Sequence, residues 1–129
     1  MKAGLRSLLA VLSIAVAMSA LGAETRPFDQ ATFEALQVAD KPILIDVYAD
    51  WCPTCKQQAP IVSELMARPE FKDFTVLRVN FDMQKDVRRT LRVAEQSTFI
   101  VYRGKKEVAR TIGDTSKNSI AATLRKALS

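Results

Sequence analysis

The chain contains no histidine in its 129 residues and only two cysteines. The first absence excludes a Ser-His-Asp triad, a Cys-His nucleophile pair and a His-ligated metal. The second leaves a zinc site within one chain two ligands short of its usual four. Internal repeats, low-complexity tracts and linker-like stretches are also missing, which leaves one domain's worth of chain. Apolar residues make up 48%, enough for a sizeable core. Charge is unremarkable in size, at a formal +5. Arg88, Arg89, Arg92, Lys105 and Lys106 read as solvated surface, and a balance this mild implies no nucleic-acid partner.

A long apolar run is lacking too. Residues 8–18 are apolar apart from Ser13, which is shorter than the ~20 residues a membrane-spanning helix needs. Lys2 and Arg6 precede this stretch, and Ser19-Ala20-Leu21-Gly22-Ala23 follows it, ahead of the first acid, Glu24. A basic start, a short apolar middle and small residues at the end form the layout of a secretory signal peptide. Residues 1–23 are therefore expected to be a signal peptide, cut after Gly22 or Ala23, and 24–129 the functional domain. An uncleaved N-terminal anchor is the alternative. The leader is not the Arg- and Ser-rich kind that targets mitochondria, so the expected destination is a bacterial periplasm, where disulfides persist.

The rest of the chain alternates helix and strand signals. Asp29 is placed to cap a helix over 30–39, with Phe28 and Phe33 at the positions of a hydrophobic staple. Ile43-Leu44-Ile45-Asp46-Val47-Tyr48 reads as a strand buried on both faces, with Asp46 as its anomaly. A helix should start near Cys52, since Pro53 suits a first turn, and Pro60 should kink it. Residues 75–81 form a second buried strand. Val87, Leu91 and Ala94 mark a helix, and 98–102 form a third strand. Arg103-Gly104-Lys105 turns into a returning strand over 107–112, ended by Gly113. Ser116 caps a last helix with Ile120, Leu124, Ala127 and Leu128 on one face. This order implies an α/β fold, a central mixed sheet of about four strands with helices on both faces.

Cys52 and Cys55 are separated by Pro53-Thr54 where the buried strand gives way to the helix. Unpaired N–H groups and the helix dipole favour a thiolate at Cys52, lowering its pKa below the free value of ~8.5. A thiolate there attacks a disulfide, and Cys55, one turn on and expected behind it, resolves the mixed disulfide. A purely structural disulfide would close a very short loop and add little stability. A cysteine-ligated metal carrier remains an alternative from another class, although copper carriers seldom place their cysteines after a buried strand and a Trp.

Asp46-Val47-Tyr48-Ala49-Asp50-Trp51-Cys52-Pro53-Thr54-Cys55-Lys56 resembles the active-site segment of the thioredoxin family. The resemblance continues through Pro60, Arg78-Val79-Asn80-Phe81-Asp82, the Tyr102-Arg103-Gly104-Lys105 hairpin and Gly113. It implies a thioredoxin fold, no cofactor beyond a Cys52–Cys55 disulfide, no metal, and a substrate groove around Cys52. It implies that Asp46 lies beneath the cysteines and takes the proton of Cys55. An inward-pointing Arg78, where the family often has Lys, would be a fixed cation holding Asp46 more ionised. Trp51, Pro53, Thr54, Gln96, Ser97 and Thr98 become the surroundings of the site. Ser97 stands where the family has a cis-proline, and the Gln96–Ser97 bond is expected to be trans because a non-proline cis bond costs ~3 kcal/mol.

The expected function is an exported disulfide reductase acting on protein cysteines as a monomer, supplied with electrons by a membrane thiol donor. An oxidase or isomerase is the runner-up. A His between the cysteines favours oxidants, and this chain has Pro53-Thr54 there.

Overall fold

A computed structural model describes residues 22–129. The signal-like segment, apart from Gly22 and Ala23, lies outside the described residues. Along the chain come β1 (Glu24–Pro27), α1 (Gln30–Val38), β2 (Pro42–Tyr48), α2 (Pro53–Met66), a 3-10 turn (Pro69–Phe71), β3 (Thr75–Asn80), α3 (Lys85–Thr90), β4 (Thr98–Arg103), β5 (Lys106–Ile112) and α4 (Lys117–Arg125). The sheet has five strands in the order β1-β3-β2-β4-β5. β3 runs parallel to both β1 and β2, while β4 is antiparallel to β2 and to β5. This is the mixed sheet expected, with one strand more. The extra strand, β1, consists of four exposed residues ending in Pro27, so it carries neither alternation nor an apolar run. Only its pairing with β3 makes it a strand.

β2 is central and buried along nearly its whole length. Its alternate residues feed two cores. Ile43, Ile45 and Val47 pack with Phe28, Phe33, Leu91 and Val93 on the side of α1 and α3. Leu44 packs with Val62, Leu65, Ile120 and Leu124 on the side of α2 and α4. Asp46 has the parity of Leu44, so it faces α2.

The helix starts follow the sequence closely. Asp29 Oδ1 accepts the Thr32 N–H at 2.8 Å, and the Phe28 and Phe33 rings meet at 5.4 Å between centroids. Ser116 Oγ accepts the Ser119 N–H at 3.3 Å. α2 runs from Pro53 to Met66 with Pro60 inside it. The ends differ more. α3 stops at Thr90, Ala94 is exposed beyond it, and Val93 takes the buried place. The cause is Arg92, which turns left-handed at φ +56°. Its N–H reaches the Arg89 carbonyl and the Val93 N–H reaches that of Arg88, a Schellman closure. α4 likewise ends at Arg125, which leaves Leu128 partly exposed rather than on the apolar face. At the hairpin, Gly104 is held at φ +55°, and a Cβ there would lie 2.7 Å from Asp40 Oδ1.

Arg92 is a non-glycine residue in the αL region, where glycine carries no steric penalty. Arg92→Gly is expected to stabilise the fold by ~0.5–1 kcal/mol. Thermal unfolding checks it, and a lower midpoint would refute the assignment of Arg92 as the strained closing residue.

Candidate active site

The end of β2 delivers Tyr48 to Cys52 as a tight approach to α2. The Cys52 N–H donates to the Ala49 carbonyl at 3.2 Å, and Cys52 becomes the N-cap of the helix. Pro53 fills the first helical position, where its missing N–H costs nothing. Cys52 and Cys55 are joined in a disulfide. The Cys55 N–H donates to Cys52 Sγ at 3.1 Å. An N–H from the first helical turn therefore points at the Cys52 sulfur, as stabilising a thiolate there requires.

Both cysteines are buried in the disulfide form, and Cys52 more so, at 1% exposure against 8% for Cys55. The expectation that Cys55 lies behind Cys52 is not met. Cys52, Cys55 and Ala49 form one small cluster, with Tyr48 and Phe81 packed against it. What distinguishes the two sulfurs is the N-cap position, not depth.

Asp46 is buried, at 7% exposure. Burial pushes its carboxyl above the usual range, and the Arg78 guanidinium opposes this in part by charge and hydrogen bonding. Arg78 is the cross-strand partner of Asp46 on β3, with Nε 3.5 Å from Oδ2. Its guanidinium also lies 3.7 Å from the centre of the Tyr48 ring. Arg78 thus points toward the site as a fixed cation, held between a carboxylate and an aromatic face. Asp46 and Arg78 open onto a groove of about 880 Å³, lined also by Ala59, Val62 and Ser63 of α2. Cys55, Ala59 and Val62 follow one another at i, i+4 and i+7, so Cys55 continues the helix face that meets Asp46.

Arg88 departs from the solvated-surface reading. It is half-buried, its guanidinium lies 3.4 Å from the centre of the Phe81 ring, and it donates to the Phe81 carbonyl at 3.0 Å. Trp51 is 56% exposed, and its indole N–H donates to Asp82 Oδ2 at 2.8 Å. The ring stands on the rim of the disulfide, braced from the loop after β3. Thr54 is half-buried in the first turn of α2.

The loop that precedes β4 meets α2 at Gln58, whose Nε2 donates to the Ser97 carbonyl. Among the described residues no peptide bond is cis, so Gln96–Ser97 is trans. Ser97 adopts φ +58° and is buried. Its hydroxyl donates to the Gln96 carbonyl at 2.6 Å, and that of Thr98 donates to the Glu95 carbonyl at 2.7 Å. Two short hydroxyl bonds and one left-handed residue shape this loop. Among the described residues no three or more His, Cys, Asp or Glu side chains cluster as a metal site would.

The thioredoxin family model matches residues 24–126, which take in every element described above. The chain belongs to the thioredoxin family. That family consists of thiol–disulfide oxidoreductases, and the Cys52–Cys55 pair stands at its redox position. Among solved structures, Trxlp from Edwardsiella tarda EIB202 is 44% identical with a TM-score of 0.77, covering 78% of this chain and 98% of that one. Thioredoxin from Alicyclobacillus acidocaldarius is 29% identical over 104 residues, 81% of this chain and 98% of its own length. Thioredoxin H2-1 from Oryza sativa is 35% identical over 92 residues, 71% of this chain. The chain spans 64% of that rice protein and 20% of the bifunctional thioredoxin reductase/thioredoxin of Mycobacterium leprae.

Sequence reasoning did not single out Asp82 as the brace of Trp51, nor Gln58, a residue of α2 that is 2% exposed. Asp82 lies 31 positions from its partner, and no local signal links them. Gln58 follows Lys56-Gln57, and a polar run in a helix reads as a wet face.

Proposed function

We propose that this protein is an exported disulfide reductase acting on the cysteines of other exported proteins. In the reduced protein the Cys52 thiolate attacks one sulfur of a substrate disulfide. A Cys52–substrate mixed disulfide forms, and the first substrate sulfur leaves as a thiolate. Cys55 gives its proton to Asp46 and attacks the Cys52 sulfur. The second substrate thiolate leaves, the Cys52–Cys55 disulfide closes, and the substrate has gained two electrons. Restoring the dithiol requires a thiol donor, and for an exported protein that donor is a membrane protein presenting a dithiol to the periplasm. The protein acts as a monomer.

The observation that carries the reducing direction is the charge around the pair. Strong oxidants stabilise their reduced form through the thiolate. Here Pro53-Thr54 supplies no cation between the cysteines, and the buried acid Asp46 lines a groove with Ala59 and Val62, which lie on the helix face that Cys55 begins. A carboxylate facing the pair from that side disfavours a thiolate, with Arg78 offsetting part of its charge, which weakens the reduced state and makes the protein a better electron donor. The exported setting is supported by Lys2, Arg6 and the short apolar segment ahead of Ala23.

Equilibration against glutathione or dithiothreitol buffers tests the direction. The expected potential lies nearer thioredoxin's value of about −270 mV than the about −120 mV of a strong oxidant. A value near the latter would make the protein an oxidase. Mass analysis of the protein recovered from periplasm tests export, and recovery of the full 129 residues from the cytoplasm would end that part of the reading.

A further inference from the structure

Gln58 lies one helical turn beyond Cys55 on α2 and is 2% exposed. Its Nε2 donates twice, to the Ser97 carbonyl at 3.3 Å and to the Asp114 carbonyl at 2.9 Å. Two carbonyl acceptors fix which end of the amide faces them, because only the NH₂ group can donate. The other end, Oε1, is buried without a partner. A buried amide half-satisfied in this way costs stability that a hydrophobic residue of similar size would not. Its neighbours in the helix core, Val62, Leu65 and Met66, are apolar. The polarity of Gln58 therefore needs a reason other than packing.

The two carbonyls supply one. Ser97 is the left-handed residue of the loop before β4, and Asp114 follows the left-handed Gly113 at the end of β5. The Gly113 N–H also donates to the Ser97 carbonyl, at 2.9 Å. Gln58 and Gly113 thus converge on one carbonyl oxygen, and among the described residues Gln58 alone links that oxygen by a hydrogen bond to the helix carrying both cysteines. A proline ring would have fixed this loop covalently. Ser97 does not, and a serine at φ +58° is held only as long as its surroundings hold it.

We propose that Gln58 is the positioning residue that sets the Ser97 loop against the Cys52–Cys55 pair, and so determines which protein disulfides the site accepts. This rests on the oxidoreductase reading above, in which Cys52 attacks a protein disulfide; the Ser97 loop, tied through Gln58 to the helix that carries the cysteines, then forms one wall against which that polypeptide lies. A small disulfide reaches the sulfur of Cys52 without needing the loop. A protein disulfide lies along it and loses rate when the loop moves, because displacements of about 1 Å cost up to ~100-fold.

Gln58→Met keeps the length of the side chain and removes both donors, and Gln58→Asn keeps the amide but shortens its reach. For both variants the expected loss in kcat/KM is ~10- to 100-fold with insulin as the protein disulfide, mostly in KM. With hydroxyethyl disulfide the change is within about twofold. The redox potential stays unchanged, and hydrogen exchange speeds up at residues 96–98 and 113–114 but not at the centre of β4. Equal losses on both substrates would overturn the proposal, as would a shifted potential with unchanged loop exchange, or no loss at all. Wild-type protein is assayed first. Inactivity of the wild type on both disulfides would sink the oxidoreductase reading itself, while the exchange measurement would still decide whether Gln58 holds the loop.

Discussion

Cys52→Ala abolishes disulfide reduction, and Cys55→Ser turns the protein into a trap. The two variants remove the same disulfide but stop the reaction at different points. Without Cys52 no sulfur stands at the helix N-cap, where the first-turn N–H stabilises a thiolate. Turnover of insulin falls by ~1,000-fold or more, because the steps act as a unit and none substitutes for the attack. With Cys52 present and Cys55 replaced by serine, the attack still occurs. The hydroxyl that replaces the second thiol does not expel a thiolate, so the Cys52–substrate disulfide accumulates in stoichiometric amount. Non-reducing electrophoresis and mass analysis read the difference. A closed four-residue loop adds only ~2 kcal/mol by chain entropy, so both variants should match the reduced wild type in stability. Because Cys52 is the more buried residue of the pair, the reverse assignment makes the opposite forecast: the trap would form in Cys52→Ser through Cys55. Trapping in that variant would overturn the order of attack proposed here.

Much of this site is legible in the chain because it is local. The N-cap cysteine, the first-turn Pro53 and the acid in the middle of an apolar strand lie within ten residues of one another, and each breaks a simple pattern in a way that needs a reason. Arg78 is legible by register: once β2 and β3 pair in parallel, it stands across from Asp46. Its contact with the Tyr48 ring is not, because stacking depends on the rotamer of a long side chain. Elements whose identity comes from distant partners are hidden. β1 is a strand only because β3 has a free edge, and its four exposed residues show no period. The end of α3 is hidden for a different reason. The apolar spacing of Val87, Leu91 and Ala94 continues past the point where the backbone turns at Arg92, and Arg is not a residue that announces a left-handed turn. Gln58 is the extreme case. Its two partners lie 39 and 56 positions away, and nothing near it in sequence distinguishes it from exposed Gln57.

Asp46→Asn should make the protein more stable and slower, and both effects should depend on pH in a stated direction. Burial raises the Asp46 carboxyl above the usual ~3.9, with Arg78 offsetting part of the shift. A raised pKa means that the folded state binds the proton more tightly than the unfolded chain. Stability from this group is fully present below about 3.9 and is lost as pH rises through the folded value. Once pH has risen through that folded value, the native state carries a buried carboxylate only partly balanced by a half-exposed Arg78. Neutral Asn removes that charge and leaves Arg78 free to hydrate. The expected gain is ~1–3 kcal/mol at about pH 8, shrinking toward zero near pH ~4. At ~4–8 °C per kcal/mol for a domain of this size, thermal melts resolve it. The same substitution removes the acceptor for the Cys55 proton, so resolution of the mixed disulfide should slow by ~10- to 100-fold at about pH 7. Above the ordinary thiol pKa of ~8.5, hydroxide and solvent deprotonate Cys55 directly, and the variant should recover toward the wild-type rate. A structural role alone would move the melt without the pH-dependent rate. If Asp46→Asn is destabilised at about pH 8, or is slowed by the same factor at about pH 7 and about pH 9.5, Asp46 is not the proton acceptor. The mid-strand acid would then need another explanation.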